Sequence, residues 1–348
     1  MSAGILTAII AACAVFVAAI SALFYWYAFR FEPVNFKISN IIINLRKNAG
    51  ITYDTAGISA SSTGSADKAT TPDFTILHLS DFHLRKDRKG EKLFEFVHSL
   101  SNYNPDFIFI TGDLVEKDIY FDYLAEMLEG LNAKSGKYAV FGVHDYYNKT
   151  PKEFIKNMIK RIKEYRREND VSGLINKLGG IGIKVLRNER VSHVLSRDFS
   201  INISGLEDSA IGKTDIVKTM LEEGNPKKEL INKDLFVLDG RNLHNLNDSK
   251  KIEICLTHTP DMDLFSRLAD NGVDIIFAGH THGGQVRLPG IGAIISGCDI
   301  SAKYASGLFY FKKFVLYVSR GLGEGRYSPF RFYCPPEATI IKVSFTEN

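Results

Sequence analysis

The stretch Asp274 to Gly284, "DIIFAGHTHGG", places two histidines among glycines directly after an apolar run. A short run rich in Ile and closed by Gly reads as a buried strand, covered on both faces. His280 and His282 stand two apart just past its end. In extended backbone such residues point the same way. The flanking glycines leave room for close approach.

Other apolar runs repeat the pattern. "FTILHL" (Phe74 to Leu79), "FIFIT" (Phe107 to Thr111) and "YAVFG" (Tyr138 to Gly142) read as strands. Between them, Lys92 to Leu100 and Phe121 to Leu131 carry apolar residues at helical spacing. A charged helix is expected from Pro151 to Glu168, its Lys/Arg run a solvated face. "GIKVL", "SHVL" and "FSINISG" read as shorter antiparallel strands, and "IEICLTH", "FVLYVSRG" and "ATIIKVSF" complete the set. Gly224 to Lys250 is polar and irregular, and reads as an insertion. This alternation implies an α/β domain around a buried sheet.

Polar residues gather where the strands end. Ser80-Asp81-Phe82-His83, Gly112-Asp113, Gly142-Val143-His144-Asp145, Thr257-His258 and Gly279-His280-Thr281-His282 each follow an apolar run. Five of the nine histidines lie there. One such Asp is commonly only a helix cap, and one Gly-Asp only a turn. Together they point to a metal site, since open α/β sheets bind ligands beyond the carboxyl ends of their strands. Mixed imidazole and carboxylate donors suit Mn, Fe, Zn, Ni or Co better than Mg or Ca. A shared carboxylate can bridge two cations about 3.5–4 Å apart.

The N-terminus carries a separate signal. Ile5 to Phe29 holds no charged residue, and Tyr25, Trp26 and Tyr27 cluster at its end. That run exceeds the roughly 20 apolar residues that span a bilayer, with an aromatic belt where one belongs. A cleaved signal peptide would want a basic start and a shorter run of about 7–15 residues. Residues 1–32 are therefore expected to be a transmembrane anchor. Arg30, Lys37, Arg46 and Lys47 all follow the run, which predicts a cytoplasmic domain at the cell membrane. An exported domain is the weaker alternative. Residues 33–73 read as a juxtamembrane segment and linker, Ser/Thr/Gly-rich from Thr55 to Thr71, and 74–348 as the catalytic domain.

Composition narrows the rest. With 348 residues and 45% hydrophobic content, the chain can bury one large core. A formal charge of +3 without a basic, aromatic-interleaved patch argues against nucleic acid. Cys13, Cys255, Cys298 and Cys334 form no close pair, so they read as reduced and structural. Nothing in the sequence sets an oligomeric state.

With "HLSDFHL" at the start, "AGHTHGG" later and "GLG…FRFYCPPE" near the end, the chain resembles the calcineurin-like metallophosphoesterases. Phe74 onward carries the likeness. It implies a four-layer α/β/β/α sandwich, here preceded by one transmembrane helix. It implies two divalent ions, manganese favoured. Asp81, His83, Asp113 and His282 match the first metal site. Asp113, His258 and His280 match the second, with Asp113 bridging. His144 matches the histidine that contacts the phosphoryl or leaving oxygen, and Glu116 the residue orienting it. The implied reaction is hydrolysis of a phosphoester or pyrophosphate by a metal-activated hydroxide. The membrane-bound branch points to a lipid-linked substrate such as UDP-2,3-diacylglucosamine. Arg320, Arg326 and Arg331 are candidate phosphate contacts or loop anchors. One departure stands out: Val143 occupies the position of the family's metal-ligating Asn. It raises the alternative of a catalytically impaired, metal-binding membrane protein.

Overall fold

The β-branched and aromatic runs pair into two sheets. The computed structural model describes residues 3–47, 51–53, 73–148, 150–160, 167–196, 199–220, 250–325 and 327–346. The first sheet has seven strands, in the order Ile51–Tyr53, Lys37–Lys47, Glu337–Thr346, Phe74–Leu79, Phe107–Thr111, Gly136–Val140, Ile183–Val185. The second has six: Gly307–Tyr310, Val315–Val318, Ile275–Ala278, Lys250–Leu256, Phe199–Gly205, Glu189–Ser196. Phe74–Leu79 through Ile183–Val185 run parallel, as do Val315–Val318 through Phe199–Gly205. All their carboxyl ends therefore carry chain out of the two sheets toward the polar turns.

Three apolar layers separate four structural ones. Phe107, Phe109, Ile254, Phe277 and Tyr317 fill the space between the sheets. Leu77, Ile108 and Ile110 face outward against Leu93, Val97, Leu124 and Leu128 of the helices Arg88–Ser99 and Phe121–Glu129. Cys255 and Ile276 face Leu264, Phe265 and Leu268 of the helix Met262–Asp270. Both inner strand faces being buried explains why these strands read as continuous apolar runs rather than alternating ones. The outcome is an α/β/β/α sandwich.

Several expectations are corrected. In the juxtamembrane segment, whose spacing allows a strand or a helix resting on the membrane or on the domain, Lys37–Lys47 is a strand of the first sheet, parallel to Glu337–Thr346. Buried Ile43 and Leu45 join the inter-sheet core, so apolar burial claims this segment for the domain. Ile183–Val185 pairs parallel, not antiparallel. The helix begun at Pro151 is described to Lys160, and Arg167–Glu168 pairs as a strand with Tyr147–Asn148. The linker at Thr55–Thr71 and the insertion at 224–249 lie outside the described residues.

Ala3–Trp26 is one helix of 24 residues without a charged side chain. At 1.5 Å per residue its length is about 36 Å, enough for a hydrocarbon core of about 30 Å. Its described side chains are exposed along its length. Only its end meets the domain. Phe24 and Tyr27 lie 5.2 and 5.6 Å from the Phe332 ring, and Arg331 donates its backbone N–H to Ala28 O at 2.9 Å.

One half-buried carboxyl group lies far from the strand-end turns. Asp274 accepts the Glu253 N–H at 2.8 Å. Burial, reinforced by Glu253, pushes its carboxyl from an ordinary 3.8 up to about 8. A raised folded value stabilises fully below the unfolded value, and that contribution is lost as pH rises through the folded one. Asp274→Asn keeps the acceptor and removes the charge. In thermal unfolding it should match the parent below about pH 4 and be the more stable above about pH 8. Parallel pH profiles for the two proteins would refute this.

Candidate metal centre

Each candidate side chain leaves a strand end and is held there by backbone pairing. Asp81 N–H donates to Gly112 O at 2.9 Å, and His83 N–H to Asp113 O at 2.9 Å. Gly279 N–H donates to His258 O at 3.0 Å. The two sheets are stitched together by His280 N–H, which donates to Asp81 Oδ1 at 2.9 Å. His258 Nδ1–H donates to Thr111 O at 2.7 Å across the same seam.

Besides a cluster of His83, Glu116 and His144, two donor groups result. Asp81, His83 and His282 form one, and Asp113, His258 and His280 the other. Asp113 Oδ2 stands between them, 3.5 Å from His83 Nε2 and 3.1 Å from His258 Nε2. The expected six residues are thus brought together.

The local backbone is unusual. Asp81, His83, Asp113, His280 and His282 all have positive φ, between 41° and 69°. Non-glycine residues rarely adopt that region, and such strain persists only where the surroundings over-determine it. It also overturns the expectation of extended backbone at His280 and His282. Left-handed turns at both send His280 to His258 and His282 to Asp81 and His83. Gly279 is needed beside them. A Cβ there would lie 2.0 Å from Ser80 Oγ and 2.6 Å from Asp81 Oδ2.

The imidazole protons decide what the site can hold. His83 Nδ1–H donates to Glu116 Oε1 at 2.8 Å, and His282 Nδ1–H to Gly323 O at 3.2 Å. Both Nε2 atoms are then lone pairs, and they face each other at 3.1 Å. His258, its Nδ1 proton given to Thr111, sets its Nε2 3.1 Å from Asp113 Oδ2 and 3.3 Å from His280 Nδ1, where a cation would take the place of the Nε2 proton shared with Asp113. Facing lone pairs repel unless a cation lies between them. The donor set therefore fits one cation in each group.

Charges follow from burial and neighbours. Burial works to raise Asp113, but His258, His144 and His83 outweigh it and hold the carboxyl well below its usual range. Burial pushes Asp81 up, and Asp113 adds to it. Burial would lower His258, yet Asp113 and Asp81 hold it well above the usual range. Burial, with His83 and Arg331 nearby, keeps His282 well below it, hence neutral, as a metal ligand must be.

His144 is half-buried at the mouth, its N–H donating to Asp113 Oδ1 at 2.9 Å. Glu116 was expected to orient it. Its shorter bond is instead to His83, with His144 Nδ1 at 3.4 Å from its other oxygen. One carboxylate so serves both rings, since the extra methylene of Glu reaches between them. Val143 is buried and offers no donor. Arg331 proves a loop anchor. Fully buried, it donates to the carbonyls of Arg320, Gly321, Gly323 and Cys334, and its Nη2 lies 3.4 Å from His282 Nδ1. Arg320 is half-exposed, 3.8 Å from Glu337, and Arg326 lies outside the described residues.

Two residues escaped sequence reasoning. Asp145 accepts N–H bonds from Asp113 (2.8 Å), Leu114 (2.8 Å) and Gly142 (2.9 Å), clamping two strand-end turns. Asp208 is fully buried beyond Phe199–Gly205, close enough to help raise His258 and to oppose the burial and His258 charge that lower His280, and its Oδ2 has no hydrogen-bond partner among the described residues. The signal was available: Asp208 follows a strand end as the other acids do.

Imidazoles and carboxylates paired at the strand ends of a two-sheet sandwich are the architecture of a metallophosphoesterase, a class of phosphoester hydrolases. Residues 74–284, more than half the chain, match the calcineurin-like phosphoesterase family, and the chain belongs to it. The family uses divalent metal ions. The chain is 29% identical over 276 residues to the metallophosphoesterase YkuE of Bacillus subtilis (strain 168), covering 78% of this chain and 80% of that one. It is 27% identical over 296 residues to the UDP-2,3-diacylglucosamine pyrophosphatase LpxG of Chlamydia muridarum (strain MoPn / Nigg), covering 78% and 83%. Phosphodiesterase YaeI of Escherichia coli (strain K12) is 25% identical over 278 residues, covering 79% and 84%. Among solved structures, a dimetal phosphatase from Danio rerio aligns with a TM-score of 0.35 at 12% identity, over 75% of this chain and 94% of that one.

Proposed function

We propose that this protein is a membrane-anchored hydrolase of a lipid-linked phosphoester or pyrophosphate, with UDP-2,3-diacylglucosamine the leading substrate. Asp81, His83 and His282 would hold one divalent cation and His258 and His280 the other, with Asp113 as the carboxylate shared between them. The convergence of Asp81, His83 and His282 on one side and His258 and His280 on the other, with Asp113 Oδ2 3.5 Å from His83 and 3.1 Å from His258, is the observation that carries this reading. When bound, the cations supply Lewis-acid polarisation of phosphate and activation of water near neutral pH. The chain's own groups do the rest. Asp113 Oδ2 sets the spacing between the groups, while its Oδ1 is pinned by the His144 N–H. The His144 ring, reachable from solvent and backed by Glu116, donates a proton or hydrogen bond to the leaving oxygen. Glu116 and Gly323 fix the His83 and His282 tautomers, so both rings are oriented before substrate arrives. The length and charge-free composition of the helix Ala3–Trp26 support a single membrane crossing, and the basic residues that follow it support a cytoplasmic domain.

Val143 supports a second reading, in which the chain binds metal without turnover. The test is hydrolysis of bis(p-nitrophenyl) phosphate and of UDP-2,3-diacylglucosamine by detergent-solubilised full-length protein with Mn²⁺. The hydrolase reading expects turnover by the native chain. Val143→Asn supplies an amide oxygen at the His258 group and should tighten Mn²⁺ about tenfold. An inert native chain beside an active Asn variant would transfer the case to the second reading.

A further inference from the structure

The chain exposes a second apolar feature far from the anchor in sequence. Arg287–Leu288 and Gly292–Ala293 pair as a tight antiparallel hairpin, followed by Ile294 and Ile295. No charged residue occurs between Arg287 and Asp299. Leu288 and Ile294 are exposed, Ile291 is 76% exposed and Ile295 63%. Aliphatic side chains this open, grouped on one hairpin, mark a surface that meets something apolar.

The fold says what that is. Arg287 N–H donates to Phe332 O at 2.9 Å, and Phe332 N–H to Gln285 O at 2.8 Å, so the root of the hairpin is bonded to Phe332. The Phe332 ring lies against Phe24 and Tyr27, the last turns of the apolar helix. Exposed Tyr333 stands 6.4 Å from Tyr27, and exposed Arg30 follows one turn on. Aromatic rings and a cation at a helix end mark the level of the lipid headgroups. The hairpin therefore springs from the domain at that level.

We infer that the hairpin and Ile294–Ile295 dip into the outer part of the same bilayer that the helix crosses, forming a second membrane contact. This rests on the anchor reading proposed above. A hairpin satisfies part of its backbone internally, and a charge-free tip at interface depth needs no more. The contact also fixes the rim of the metal centre against lipid. The hairpin follows His282 by a few residues, and Arg287 Nη1 donates to Gly283 O at 3.1 Å. A phosphoester whose acyl chains remain in the bilayer reaches such a rim directly.

Trp26 is the only tryptophan, which makes the test clean. Full-length protein is reconstituted in vesicles with phosphatidylcholine brominated near the headgroup. Native Trp26 emission reports the anchor. In a Trp26→Phe background, Ile294→Trp and, separately, Ile291→Trp report the hairpin. Val194→Trp, exposed on the opposite edge of the second sheet, is the reference. The expected result is loss of most emission at 26 and at 294 or 291, with a blue shift, and no loss at 194. Quenching at 26 with full emission at both hairpin positions overturns the inference and leaves the anchor standing. Full emission at all positions overturns both. A blue shift at 294 without quenching assigns the face to another copy of this chain, and likewise ends the proposal.

Discussion

Asp113→Ala should abolish hydrolysis while leaving a folded protein. Asp113 Oδ2 is the one oxygen that approaches both donor groups, at 3.5 Å from His83 and 3.1 Å from His258. Its charge outweighs burial in holding His258 well above the ordinary range. Without it, each group keeps its imidazoles but loses the carboxylate they share. A preorganised electrostatic element at a reacting centre is worth roughly a hundred- to thousandfold, and loss of both ions goes further. The expected fall is about a thousandfold or more, roughly 4 kcal/mol. Turnover of bis(p-nitrophenyl) phosphate and metal content after Mn²⁺ loading would measure it together. A variant that keeps two ions per chain and more than a tenth of the activity would remove Asp113 from the centre of the mechanism.

Asp145→Ala should cost stability more than any other polar substitution at the site. Asp145 is fully buried, and its two oxygens accept the N–H groups of Asp113, Leu114 and Gly142. Removing the carboxylate leaves three buried donors without an acceptor. Each costs about 1–3 kcal/mol, so the total is about 3–9 kcal/mol if water cannot enter. Gly142 shows how little room there is: a Cβ on it would sit 2.3 Å from Asp113 Oδ1. Thermal unfolding should show a large downward shift for Asp145→Ala and a smaller one for Asp145→Asn, which keeps one acceptor. A shift no larger than for a surface substitution would mean that these N–H groups find other partners.

The two predictions separate what was legible in the sequence from what was not. Asp113, His258, His280 and His282 could be singled out because apolar runs locate strand ends and ligand-bearing turns follow them. Asp145 was visible in the same motif, but its role was not. It acts on backbone N–H groups, and nothing in a side-chain sequence tells which carbonyls and amides will be left unpaired. Arg331 was open between phosphate contact and loop anchor. Its burial against four carbonyls decides for the anchor. Glu116 was assigned to His144 by position, and the shorter contact went to His83.

By itself, the sequence determined the α/β character, the apolar N-terminal helix, the family and the set of side chains at the strand ends. These depend on local periodicity and residue type, which a linear chain states openly. Tertiary structure alone decided that Lys37–Lys47 completes the first sheet, and that the helix end, Phe332 and the hairpin form one strip. It also turned His280 and His282 to different partners. Such features come from contacts between residues far apart in the chain, and from backbone turns that only the surrounding packing can hold.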